Sequence, residues 1–197
     1  MTRVQDADLA VELGAAALGF IFWPGSPRYI APNDAREIVR RLPAKATAVG
    51  VFVNEPIELV TEIMELVGLD MAQLHGTESP EYCRRLRPAP IKAIALQKMT
   101  NGEALTVDAF DQDVLILLDA HDPARHGGTG RTIDWSAARQ IAAARPTILS
   151  GGLNAGNVGA AIESVQPYGI DVSSGVESAP GVKDAARLKS FFEALNG

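Results

Sequence analysis

One cysteine in 197 residues, Cys83, leaves no partner for an intrachain disulfide and fits a reducing, cytoplasmic setting. Long apolar runs are missing too. The longest, Ala15–Trp23 and Val114–Leu118, fall well short of the roughly 20 residues a membrane span requires. Met1 to Asp6 contains no apolar stretch of signal-peptide type. Basic residues are outnumbered, 18 against 24 acidic, for a net charge of −6. Nucleic acid is therefore not expected as the main partner, since neutralising phosphates takes a basic surface. A small anionic ligand stays open, provided that local backbone donors bind it. Aromatics make up only 6%, but apolar residues reach 47% and charged ones 21%, an ordinary globular balance. At this length residues 1–197 read as a single domain.

Short apolar runs recur along the chain with amphipathic segments between them. Candidate strands are Ala17–Phe22, Thr47–Val53, Asp70–Leu74, Ile91–Leu96, Val114–Leu118, Thr147–Leu149 and Gly169–Val172. Most are apolar on both sides of the pleat, as strands covered on two faces must be. Helices are expected at Asp6–Leu13, Ala35–Leu42, Ile57–Val67, Thr77–Leu86, Trp135–Ala144 (capped by Asp134), Ala155–Val165 (capped by Asn154) and Lys183–Leu195. Asn101–Phe110 reads equally as helix or loop. This alternation means βαβ units and a parallel sheet. Seven strands against eight helical segments, with a helix at each end, point to a (β/α)₈ barrel from which the first strand is absent.

In such a barrel the chemistry sits just after each strand. Ser150-Gly151-Gly152-Leu153-Asn154 follows the sixth candidate strand, and Ser173-Ser174-Gly175-Val176-Glu177 the seventh. Glycine lets the backbone approach an anion, and free N–H groups donate to it. One such loop is only a tight turn, but two on the final strands point to phosphate. Asp119 ends a strongly apolar strand, where a carboxylate at the mouth suits a general acid; capping the next turn is the simpler alternative. The long loop after it holds Gly127-Gly-Thr-Gly130, read as an anion contact or a lid.

Arg28, in Ser26-Pro27-Arg28-Tyr29, suits a carboxylate clamp as well as it suits a solvated surface arginine. His75 would orient substrate or a neighbour, although a packed, hydrogen-bonded histidine is the simpler reading. His121, Asp122 and His126 lack a firm third metal ligand, so no metal is assigned. Cys83 falls inside an expected outer helix and reads as a buried, idle thiol.

Gly19-Phe-Ile-Phe22, Ser26-Pro-Arg-Tyr29, Val49-Gly-Val-Phe-Val53, Gln73-Leu-His-Gly76, Leu117-Leu-Asp119, Gly127-Gly-Thr-Gly130, Asp134-Trp135, Ser150-Gly-Gly-Leu153 and Asp171-Val-Ser-Ser-Gly-Val-Glu177 occur in that order. This series resembles the phosphoribosylanthranilate isomerase family of tryptophan biosynthesis, over essentially the whole chain. The resemblance implies a (β/α)₈ barrel performing an Amadori rearrangement without cofactor or metal. It converts N-(5′-phosphoribosyl)anthranilate to 1-(o-carboxyphenylamino)-1-deoxyribulose 5-phosphate. It implies Asp119 as the general acid and Arg28 on the anthranilate carboxylate. Asp171 would contact sugar hydroxyls, and the Gly151–Gly152 and Ser174–Gly175 backbones would take the phosphate. The only expected partner is the phosphorylated small molecule, with the protein a monomer or homodimer.

In that family the general base is a cysteine ending the first strand, in a Lys-Ile-Cys-Gly-Ile-Thr type stretch. Met1-Thr2-Arg3 corresponds to the close of such a stretch. The chain as written is therefore expected to turn over slowly. The alternatives are a phosphosugar-binding barrel without activity, or another sugar-phosphate barrel enzyme of tryptophan or histidine synthesis.

Overall fold

The computed structural model describes residues 1–95, 107–119 and 135–196. Seven parallel strands form one sheet: β1 (Ala17–Ile21), β2 (Thr47–Phe52), β3 (Met71–Leu74), β4 (Ile91–Ala95), β5 (Leu115–Asp119), β6 (Thr147–Ser150) and β7 (Gly169–Ile170). All seven expected strands are present, with ends displaced by a residue or two. The shift in β5 matters, because it places Asp119 on the last rung of the ladder, paired in register with Ala95 and Ser150.

Helices α1 (Val4–Glu12), α2 (Pro32–Val39), α3 (Ile57–Val67), α4 (Pro80–Arg85), α5 (Ser136–Ala144), α6 (Val158–Val165) and α7 (Ala185–Asn196) fill the connections. Proline opens α2 and α4, where a missing N–H costs nothing. The Ser79 hydroxyl accepts from the Tyr82 N–H to cap α4, and Gly68 closes α3 in the left-handed conformation.

Two local expectations need correction. Asn154 does not cap a helix from Ala155: its side-chain oxygen accepts from the Gly156 N–H, and α6 starts three residues later with Asn157 at its N-cap. The Asn side chain thus stabilises a turn in competition with the helix. The last helix begins at Ala185, not Lys183, because residues before it form an antiparallel hairpin, β8 (Glu177–Ala179) with β9 (Val182–Lys183). Asp184 then caps α7 by accepting from the Arg187 N–H. Within Asn101–Phe110 the described part is a single 3₁₀ turn, Val107–Ala109. The Asp134 cap, His121, Asp122, His126 and Gly127–Gly130 lie outside the described residues.

Strand order follows chain order from β1 to β7. Right-handed crossovers then put every helix on the same face, so the sheet curls around the other face rather than being covered on both. Burial shows the same division. Outward positions such as Leu18, Phe20, Phe52, Leu74, Ile116, Leu118 and Leu149 join the helices in the large core. Inward positions Val49, Ile91, Ala93 and Leu117 form a second small cluster, bordered by Met71, Leu115 and Ile148. Among the described residues β1 and β7 are not paired with each other, so the sheet has two edges, as the strand count anticipated.

Candidate active site

Successive side chains on a strand alternate between faces, so parity decides which residues reach the mouth. Leu115 and Leu117 line the inner cluster while Ile116 and Leu118 face the helices. Asp119 shares the inward parity. Its Oδ2 lies 3.7 Å from Nε2 of His75, which follows the inward-facing Met71 and Gln73 on the neighbouring side of the mouth. An amide nitrogen can only donate, so the 3.0 Å contact from Gln73 Nε2 makes His75 Nδ1 an acceptor. In the neutral ring the proton then sits on Nε2, towards Asp119. The histidine is hydrogen-bonded, as the simpler reading held, but its side chain keeps 38% exposure and is part of the mouth, not of the core.

The loop bearing His75 is held from beneath. Lys92 is inserted among the outward residues of β4, and its Nζ donates to the carbonyls of Leu74 and Gly76, on either side of His75. It also pairs with Glu78 at 2.7 Å, both groups buried. Glu78 accepts further from the Asn54 and Gly76 N–H groups. Burial alone would raise the Glu78 pKa, but the Lys92 and backbone hydrogen bonds hold it below the usual glutamate value. Asn54 sits in the left-handed region at φ 56°, which asparagine tolerates, and a Cβ on Gly76 would come 2.3 Å from its side-chain oxygen. A larger residue there would have to displace the Asn54 side chain, which also accepts from the Thr77 N–H.

The two glycine loops meet. Gly151 and Gly152 have φ of 96° and 67°, so the chain turns sharply as it leaves β6. The Gly152 carbonyl is tied back by the side-chain amides of Asn154 and Asn157. Ser174–Val176 form a 3₁₀ turn, and a Cβ on Gly175 would fall 1.9 Å from the Leu153 carbonyl oxygen. The expected phosphate residues are thus brought against one another, with Gly152 and Ser174 exposed. Between them and Asp119, the Ser150 hydroxyl donates to the exposed Asp171 carboxylate at 2.8 Å.

Arg28 meets the chain just past the second glycine loop. Its Nε and Nη2 grip the Glu177 carboxylate at 2.9 and 2.8 Å. Lys183 Nζ reaches the same carboxylate at 3.1 Å, and the Gly181 N–H donates to it as well. Burial works to raise the Glu177 pKa, yet the Arg28 hydrogen bond and the Lys183 charge keep it below the ordinary value. Arg28 is therefore not loose on the surface, although its side chain stays partly exposed. Cys83 lies on α4 in the outer layer, fully buried, and burial pushes its thiol up to about 11. It takes no part in the mouth.

The family model for N-(5′-phosphoribosyl)anthranilate isomerase matches residues 1–194. The chain belongs to this isomerase family. The N-(5′-phosphoribosyl)anthranilate isomerase of Syntrophus aciditrophicus is 48% identical, the match covering 99% of this chain and 84% of that protein. The phosphoribosyl anthranilate isomerase structure from Thermotoga maritima superposes with a TM-score of 0.88 at 41% identity, covering 100% of this chain and 96% of that one. A second isomerase structure, in complex with reduced 1-(o-carboxyphenylamino)-1-deoxyribulose 5-phosphate, gives a TM-score of 0.85 at 39% identity, with coverage of 100% and 95%.

Among residues that the isomerase motifs alone did not single out, Glu177 stood at the end of a quoted motif without a role. Ser150, like Glu177, belonged to a quoted motif without a role of its own, and Lys183 gave no usable signal, because a lone Lys has no spacing to betray it. The Lys92–Glu78 pair was equally hidden: a charge in an outward strand position contradicts the pattern that located the strand.

Proposed function

We propose that this chain serves the isomerase step of tryptophan biosynthesis. It binds N-(5′-phosphoribosyl)anthranilate and directs its rearrangement to 1-(o-carboxyphenylamino)-1-deoxyribulose 5-phosphate. The observation that carries the reading is the placement of a carboxyl, Asp119, on the inward parity of β5, paired in register with Ser150, from which the first glycine loop departs. Family membership supports the same reaction.

The substrate has two anionic ends and a sugar between them, and the mouth has matching parts. The Gly151, Gly152, Ser174 and Gly175 backbones take the phosphate, because N–H groups at sharp turns donate without needing a basic surface. Arg28 holds the anthranilate carboxylate at the opposite end. Asp171, fixed by Ser150, contacts sugar hydroxyls. Asp119 protonates the ribose ring oxygen so that the ring opens to a Schiff base, and His75 orients the carboxyl and the substrate beside it. A base must then remove the C2′ proton. No cysteine of these 197 residues is at the mouth, since Cys83 is buried in the outer layer. Among the described residues no helix is long and apolar enough to cross a membrane. We place the protein in the cytoplasm as a monomer or homodimer.

A turnover assay tests this. A version carrying a Lys-Ile-Cys-Gly type strand ahead of Met1 should exceed the 197-residue chain by about 10²–10⁴-fold, the usual worth of a general base. Asp119→Asn in that version should remove most of the gain, with the melting temperature nearly unchanged. Full turnover by the Asp119→Asn variant would end the acid assignment. Tight ligand binding with no gain from the added cysteine would favour a phosphosugar-binding barrel.

A further inference from the structure

A guanidinium has two edges that can fork a carboxylate, one made by Nε and Nη2 and the other by the two Nη groups. In Arg28 the first edge is taken by Glu177, with Nε at 3.1 and 2.9 Å from the two carboxylate oxygens and Nη2 at 2.8 Å. Glu177 is itself anchored. Its backbone carbonyl accepts from Arg187, its Oε1 accepts from the Gly181 N–H, and its side chain keeps only 4% exposure. Arg28, by contrast, keeps 26%, so the pair is buried on the glutamate side and open on the arginine side. The contact spans 149 residues and joins the loop after β1 to the hairpin after β7.

An isolated Arg–Glu pair is neutral and attracts no anion. Here Lys183 adds a second cation on the same carboxylate, at 3.1 Å, with its side chain only 10% exposed. Its Nζ also donates to the carbonyl of Ser173, the residue that begins the second glycine loop. The three groups together carry one net positive charge and leave one guanidinium edge unclaimed by Glu177.

Resting on the reading that Arg28 grips the anthranilate carboxylate, we propose that Glu177 and Lys183 are positioning residues for that grip. Glu177 fixes the Nε–Nη2 edge so that the Nη1–Nη2 edge faces the ligand. Lys183 offsets the glutamate charge so that Arg28 still attracts an anion. Neither residue touches the substrate. Selectivity for an ortho-carboxylated ring then depends on a carboxylate that repels the ligand's own, held in place for the sake of geometry.

The test is calorimetric binding of two ligands to the chain: reduced 1-(o-carboxyphenylamino)-1-deoxyribulose 5-phosphate, and its analogue with phenyl in place of carboxyphenyl. The unsubstituted chain should prefer the carboxylated ligand by about tenfold or more, one charge-assisted bidentate contact. Glu177→Gln, which cannot accept through both oxygens, should bring the preference within about twofold while phenyl-ligand affinity holds. Glu177→Asp should recover part of it. Arg28→Lys, which keeps the charge but has no fork, should also collapse the preference. Lys183→Met, which leaves the Arg28 fork intact, should likewise narrow the preference, and it decides the matter if Glu177→Gln fails to fold. Loss of affinity for both ligands alike, or an unchanged preference in Glu177→Gln and in Lys183→Met, would overturn the proposal. A lack of preference in the unsubstituted chain would instead overturn the role of Arg28 itself.

Discussion

The loop after β3 and the hairpin after β7 each bury a glutamate against a lysine, yet the two are built for different ends. At Glu78 one cation meets one carboxylate, the remaining Lys92 protons go to the Leu74 and Gly76 carbonyls, and the backbone N–H groups of Asn54 and Gly76 donate to the carboxylate's Oε1 and Oε2 respectively. Every group is consumed within the pair. At Glu177 two cations share one carboxylate and the outer one, Arg28, is partly open to solvent. A closed network of this kind holds a loop in shape, whereas an open one with surplus charge is equipped to hold a ligand. Burial of an ion pair therefore says little about its purpose until its charges and donors are counted.

The largest effect expected from that contrast is on stability. Lys92→Met leaves Glu78 buried without its cation and should cost about 3–5 kcal/mol in denaturant unfolding. The penalty should shrink as pH falls, because protonated Glu78 no longer needs Lys92. A loss below ~1 kcal/mol would mean that the clamp under His75 is not a closed network.

Next is the cradle. Gly175→Ala brings a Cβ against the Leu153 carbonyl, so the two loops must part. Affinity for the reduced product analogue should drop about tenfold or more, for ~1.5–3 kcal/mol per lost hydrogen bond to a charged group. Unchanged affinity would place the phosphate elsewhere.

Acid should act on both glutamates. Each has a folded pKa below its ordinary value, so each contributes stability in full above the normal glutamate range. That contribution fades as pH falls through the depressed folded values. Unfolding free energy should accordingly decline below about pH 4.5, the starting point of an unshifted glutamate. Glu78→Gln and Glu177→Gln should each flatten the decline. A curve of the same steepness in both variants would contradict the pKa directions.

The smallest effect concerns Cys83. Its raised pKa and burial should make it nearly inert to thiol reagents at neutral pH in the native state and fully reactive once unfolded. Fast native labelling would show that α4 opens readily.

Much of this molecule could be read from its sequence because sheet burial and strand-end chemistry are both periodic. Val114 to Leu118 declared a strand by apolarity alone, and Asp119, breaking that run, declared its end. Gly151–Gly152 and Ser174–Gly175 were legible because glycine has a backbone reason to be where it is. Their mutual contact was not, since no local pattern reports that Gly175 abuts Leu153. The β8–β9 hairpin escaped for a related reason. Its strands are three and two residues long, too short for alternation to register. Arg28 was legible as a candidate, but its tether was not. Glu177 lies 149 positions away, and only the closing of the loops makes them neighbours. Asn154 misled because a helix cap and a turn use the same side-chain oxygen.

A crystal structure of this chain with reduced 1-(o-carboxyphenylamino)-1-deoxyribulose 5-phosphate puts the reading of the mouth to its most direct test. The phosphate should lie on the N–H groups of residues 151–152 and 174–175, the aryl carboxylate on Arg28, and the sugar carbons beside Asp119. A ligand bound with its phosphate away from both glycine loops, or with Asp119 out of reach of the sugar, would contradict it.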